Sequence, residues 1–106
     1  MNTGCRCIIS GIVQGVGFRY WTRDAARALH LEGWVRNLPD GTVELEAFGP
    51  EDSLRALQDL LHEGPPYSRV TKVQCVPCPP PDHSSGNLSM AGSPSSGGSA
   101  RFIIRA

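Results

Sequence analysis

Residues 5–13, CRCIISGIV, are dense in β-branched and apolar side chains and predict a strand. From Tyr20 to Leu31 the pattern turns helical, with Trp21, Ala25, Ala28 and Leu29 on the apolar stripe and Arg23, Asp24 and Arg27 on the wet face. Gly33 breaks that pattern. A hairpin is predicted next, residues 34–38 against 42–48, turning at Pro39-Asp40-Gly41, where proline presets φ and glycine accepts a positive one. In its second arm Val43, Leu45 and Ala47 alternate with Glu44 and Glu46, so one face is packed and the other wet. Pro50 opens a second helix with Leu54, Leu57, Leu60 and Leu61 as its buried stripe, ending near Gly64-Pro65-Pro66. Residues 69–76 alternate again as a strand, and 101–105 form a short terminal one.

The order β-α-β-β-α-β plus a short C-terminal strand predicts an α+β, ferredoxin-like (split β-α-β) sandwich. Two helices should lie on one face of a mainly antiparallel sheet. Metal-binding, RNA-binding and enzymatic domains share this arrangement, so it leaves function open. Residues 79–100 are almost wholly Pro, Ser and Gly and are expected to be a flexible loop within a single 1–106 domain.

Length and charge narrow the possibilities. The 106 residues suit one core, and 10 Lys+Arg balance 10 Asp+Glu. There is no broad basic field for nucleic acid and no cationic helix for a membrane surface, so an anion must be captured locally. The first ten residues show no charged leader before a long apolar run, and no segment approaches membrane-spanning length, which points to the cytoplasm. Cys5 and Cys7, two apart in a strand, should share a face, and Cys75 and Cys78 form a single C-x-x-C. His30, His62 and His83 are too scattered to complete a zinc site. The cysteines are expected to be thiols, not a disulfide framework.

The local anion site is Ser10–Arg19, SGIVQGVGFR, which places Gly11, Gly15 and Gly17 behind a strand and Arg19 at a helix start. Such a loop can curl successive N–H groups round one point, the helix adds its positive end, and the guanidinium supplies a fork suited to phosphate. The segment is neither G-x-G-x-x-G nor a P-loop. Taken by itself, it reads equally as a phosphate cradle or as a tight turn.

A second motif separates those readings. V-Q-G-V-G-F-R followed by G-W-V-R-N-x-x-D-G-x-V-E strongly resembles the acylphosphatase family, and Gly64-Pro65-Pro66 with Val70 and Val73 resembles its GPP-x-x-x-V-x-x-V segment. The resemblance covers residues 5–76. It implies a catalytic arginine at Arg19, a catalytic asparagine at Asn37 and a phosphate loop over Gln14, Gly15, Val16, Gly17 and Phe18. It also implies hydrolysis of small-molecule acyl phosphates to carboxylate and inorganic phosphate, with no metal or organic cofactor. The residue chemistry agrees. Arg19 and the loop amides can hold phosphoryl oxygens, and Asn37 has both donor and acceptor to position a water. Neither residue is a general acid, but a carboxylate whose conjugate acid has a pKa of roughly 4 leaves without one.

Simpler roles stand beside these. Arg19 could be a surface residue at a helix start and Asn37 a turn former before Pro39. Arg36 should point to the opposite sheet face from Asn37; Arg23 suits a solvated helix face; and Phe18, Trp21 and Trp34 are expected in the core. His30 stands where the family usually has a glycine in a left-handed helix cap, which bears on stability rather than chemistry. Two other functions compete. One is a non-catalytic domain like those at the N-terminus of large carbamoyl-transfer proteins, disfavoured because the chain reads as complete after one more strand. The other is an RNA-binding module, disfavoured because stacking aromatics are missing and Glu44 and Glu46 should stand on the open face. The expected protein is a monomer with no nucleic-acid or membrane partner.

Overall fold

The computed structural model describes residues 2–79 and 101–105, and all of the Pro/Ser/Gly segment beyond Pro79 lies outside them. Seven elements follow in order: β1 (Asn2–Ile12), α1 (Phe18–Ala28), β2 (Glu32–Asn37), β3 (Val43–Pro50), α2 (Glu51–Glu63), β4 (Arg69–Pro77) and β5 (Phe102–Ile104). The strands form one sheet in the order β4-β1-β3-β2-β5. All neighbours are antiparallel except β2 and β5, which run parallel. This is the ferredoxin-like α+β arrangement that the pattern predicts.

The inward face of the sheet supplies Cys7, Ile9, Val35, Val43, Leu45, Ala47 and Phe102, and the helices close over it with Phe18, Ala26, Leu54, Leu57 and Leu61. The β3 alternation therefore faces the expected way, with Val43, Leu45 and Ala47 fully enclosed. Several details differ from the sequence reading. On α1 the buried positions are Phe18, Thr22 and Ala26, while Ala28 is exposed, because Phe18 enters the first helical turn and rotates the stripe. Leu60 of α2 sits at the surface. Gly33 does not end a helix. It lies inside β2 at φ 138°, and a Cβ there would collide with the Glu46 carbonyl oxygen. The helix stops earlier, at a left-handed His30 with φ 62°, as its place at the family's glycine implied.

On the outer face Glu44 is not exposed. It is only 3% accessible, with Oε2 accepting from Arg6 Nε at 2.8 Å and Oε1 within 2.8 Å of Arg36 Nη2. Arg36 lies directly across β2–β3 from Glu44, so period-two alternation sends it outward as expected, and the two arginines replace the water a lone carboxylate would need. Glu46 alone of the two carboxylates is then half-exposed. Trp34 is also outside the core: the Arg36 and Arg105 guanidiniums lie over its ring, 5.2 and 4.6 Å from its centroid.

The cysteine expectation needs the largest correction. Cys7 and Cys75 face each other across β1–β4 with Cα atoms 4.1 Å apart, and they are joined as a disulfide. Sequence spacing shows which face each cysteine takes but not which strand lies alongside, and the β1–β4 register decides the pair. Cys5 and Cys78 remain thiols. Burial raises the pKa of Cys5 despite a side-chain hydrogen bond with Gln58 that lowers it.

Candidate active site

The loop from Val13 to Gly17 leaves the end of β1 and enters α1 directly. Gly15 and Gly17 take φ 77° and 80°, and a Cβ at either would meet nothing within 4 Å. Glycine is thus needed there for its backbone freedom, not for space. Gly17 is the helix N-cap and offers no side chain to cap it, and the first turn holds no acidic residue. The first helical bond runs from Trp21 N to Gly17 O at 3.0 Å. The amides before Trp21 have no intrahelical acceptor, so the helix presents open donors and its positive end to the loop.

Arg19 stands in that first turn, half-buried. Among the described residues no carboxylate pairs with it. Its guanidinium lies 6.0 Å from the Tyr20 ring centroid, and Arg23 lies 5.3 Å from the same ring while bonding Asp24 at 3.1 Å. Arg23 is therefore occupied at the surface, as expected, and Arg19 keeps its donor fork for another anion. Phe18 is buried against Trp21, their centroids 5.4 Å apart, and touches the Gly64 corner that ends α2. Its place in the loop motif is a packing one, which anchors the start of the helix.

Asn37 is the last residue of β2, opposite Val43 and on the helix-covered face with Val35. Its Oδ1 is enclosed and accepts no hydrogen bond from protein among the described residues. An unpaired buried acceptor costs about 1–3 kcal/mol and is a feature that functional sites retain. The turn that follows is tightly built. Gly41 N donates to Leu38 O at 3.1 Å, Leu38 N to Thr42 O at 2.9 Å, and Thr42 donates both N and Oγ1 to the Asp40 carboxylate at 3.0 and 2.6 Å. Those donors hold the Asp40 carboxyl below its usual pKa.

The loop and the turn are joined by one side chain. Gln14 Nε2 donates to Leu38 O at 2.8 Å and to Thr42 O at 2.9 Å. The segment carrying Arg19 is thereby held against the residue following Asn37, so two motifs far apart in sequence meet. Nothing in the composition marks this bridge. The VQGVGFR motif names Gln14, but only the structure shows where its amide goes. A separate hollow of about 360 Å³ opens between α2 and the start of β1, lined by Thr3, Cys5, Leu54, Arg55 and Gln58. It lies at the other end of β1 from the loop.

A family model described as Acylphosphatase matches residues 5–86. An acylphosphatase of Salinibacter ruber is 57% identical over 65 residues, spanning 61% of this chain and 68% of that protein. The chain belongs to the acylphosphatase family. Solved acylphosphatases agree in shape. One from Coxiella burnetii superposes with a TM-score of 0.79 at 36% identity, covering 98% of this chain and 93% of its own. One from Bacillus subtilis gives 0.76 at 36% identity over the full length of both. The acylphosphatase family is one of hydrolases acting on acid anhydrides. Among the described residues no cluster of His, Cys, Asp and Glu could hold a metal ion, and no helix is long and apolar enough to cross a membrane.

Proposed function

We propose that this chain hydrolyses small acyl phosphates by direct attack of water on phosphorus. The amides of residues 14–18, with Arg19, hold the phosphoryl oxygens, and Asn37 positions the water. The observation that supports this is the Gln14 bridge, which ties the loop ahead of Arg19 to the turn that follows Asn37. The water oxygen forms a bond to phosphorus as the bond to the acyl oxygen breaks. The electron pair leaves with the carboxylate, and the water proton passes to a phosphoryl oxygen of the substrate. Arg19 and the loop donors stabilise the charge on the transferring group. No side chain has to protonate the leaving group, because a carboxylate departs as an anion near neutral pH.

We take the protein to act as a monomer on a small-molecule substrate, with inorganic phosphate as product. The cytoplasm remains the proposed compartment, and there the Cys7–Cys75 pair would be exposed to reductants that keep thiols open. The deciding experiment is hydrolysis of benzoyl phosphate by purified protein with EDTA present, with Asn37→Ala alongside. Turnover that survives EDTA and collapses in Asn37→Ala supports the reading. A folded protein that binds phosphate without turning over benzoyl phosphate would overturn it in favour of an anion-binding module.

A further inference from the structure

Gln14 opens the phosphate loop, yet its side chain points away from any ligand role. An amide nitrogen carries two hydrogens, and both are committed here, to Leu38 O and to Thr42 O. Two carbonyl oxygens converging on one atom fix which end of the amide is nitrogen. Each carbonyl already accepts one backbone hydrogen bond, from Gly41 N and Leu38 N respectively, so Gln14 fills their remaining lone pairs. The receptor thus calls for an uncharged double donor on a side chain of this length. Asparagine is one methylene short, glutamate would set a third oxygen against two, and methionine would fill the space without donating.

Past the Ile9–Val43 end of the β1–β3 ladder, both joined segments reach the surface. Gly15 and Gly17 are exposed, and the turn tip at Pro39, Asp40 and Gly41 is exposed as well. Segments of that kind open at low cost when nothing ties them. Arg19 lies beyond the tie on one side, and Asn37 lies one residue before it on the other.

We infer that Gln14 is a positioning residue: its side chain sets the spacing between the phosphate held by the loop and the water held by Asn37, and does not itself touch the substrate. This deepens the proposed hydrolysis and rests on it. The backbone amide of Gln14 stays available to phosphate, so ligand affinity and turnover should separate when only the side chain is changed.

The test uses Gln14→Met and Gln14→Glu in the full chain, with benzoyl phosphate turnover and inhibition by inorganic phosphate both measured. Gln14→Met is expected to lower kcat about 10- to 100-fold, the scale of a misplacement on the order of 1 Å, while KM and the phosphate inhibition constant stay within about threefold. Gln14→Glu should lose more. Combined with Asn37→Ala, Gln14→Met should lower kcat no further, because the spacing it sets has nothing left to position. A wild-type kcat in folded Gln14→Met would overturn the inference, as would an equal loss with and without Asn37, which describes a general loosening of the loop. Weakened phosphate binding at unchanged kcat would instead make Gln14 a phosphate ligand. Absence of turnover in the wild-type protein would count against the hydrolase reading and not against the bridge. The bridge has its own measurement, which also serves if Gln14→Met fails to fold. In the NMR spectrum of the wild-type protein, the Gln14 side-chain amide protons should exchange with solvent at least about tenfold more slowly than those of the exposed Gln74. Equal exchange for the two would refute the bridge.

Discussion

Three residues show how one position can be decided by chemistry, by backbone or by both. Arg19 has no carboxylate partner among the described residues and stands at an uncapped helix end, so its removal should abolish both binding and turnover. Arg19→Ala is expected to lower kcat/KM about a thousandfold or more and to remove inhibition by phosphate. Arg19→Lys should recover little, since a point charge does not reproduce the planar fork. Asn37→Ala should keep phosphate inhibition and lose about 100-fold or more in kcat, which steady-state kinetics on benzoyl phosphate separates cleanly from the arginine case. His30 lies outside this chemistry, at φ 62°. His30→Gly relieves left-handed strain and should stabilise the fold by about 0.5–1 kcal/mol after the extra freedom glycine gives the unfolded chain, read as a higher urea midpoint with unchanged kcat.

Elements were legible to different degrees. Both helices and the strands are visible in the residue pattern because each buries one face, and Arg19, Asn37 and the loop glycines are visible because their motifs are long and unusual. What escaped was everything that depends on a neighbour across the sheet. Glu44 reads as a solvent-facing residue in its own strand, and only Arg6 on β1 and Arg36 on β2 make it a buried one. Trp34 looks like a core residue until the Arg36 and Arg105 guanidiniums are found against its ring. The α1 stripe was displaced because Phe18 belongs to the loop motif in sequence and to the helix in space. The arginine–glutamate group makes a prediction for β1, β3 and β2 together. Glu44→Gln removes the charge between two cations and should cost about 1–2 kcal/mol, less than a fully enclosed pair because both arginines reach solvent. Urea unfolding measures this loss. Turnover at 25 °C should be unchanged, since Glu44 faces away from Asn37.

For the whole molecule, the two structural ties lie at opposite edges of the sheet. The Cys7–Cys75 bond joins residues 68 apart and holds edge strand β4 to β1. A loop of that length predicts about 4 kcal/mol of stabilisation from the restricted unfolded chain. Unfolding with and without dithiothreitol should show a shift of that order, and Cys75→Ser should behave as the reduced protein does. Mass spectrometry after alkylation of freshly lysed cells tests whether the pair is closed in the proposed compartment. At the other edge β5 lies parallel to β2, with Phe102 fully buried, Gly33 N bonded to Arg101 O, Arg105 N to Val35 O, and Arg27 Nε to Phe102 O. The strand that ends in Asn37 therefore receives its outer neighbour last. A ribosome adding about 5–20 residues each second makes β1 to β4 first and reaches residue 104 roughly one to five seconds later. Through that interval the outer edge of β2 has its amides and carbonyls unpaired, a template for any other extended chain. Nascent chains stalled before β5 is made are where mispairing of the strand that carries Asn37, and recruitment of a chaperone, should concentrate.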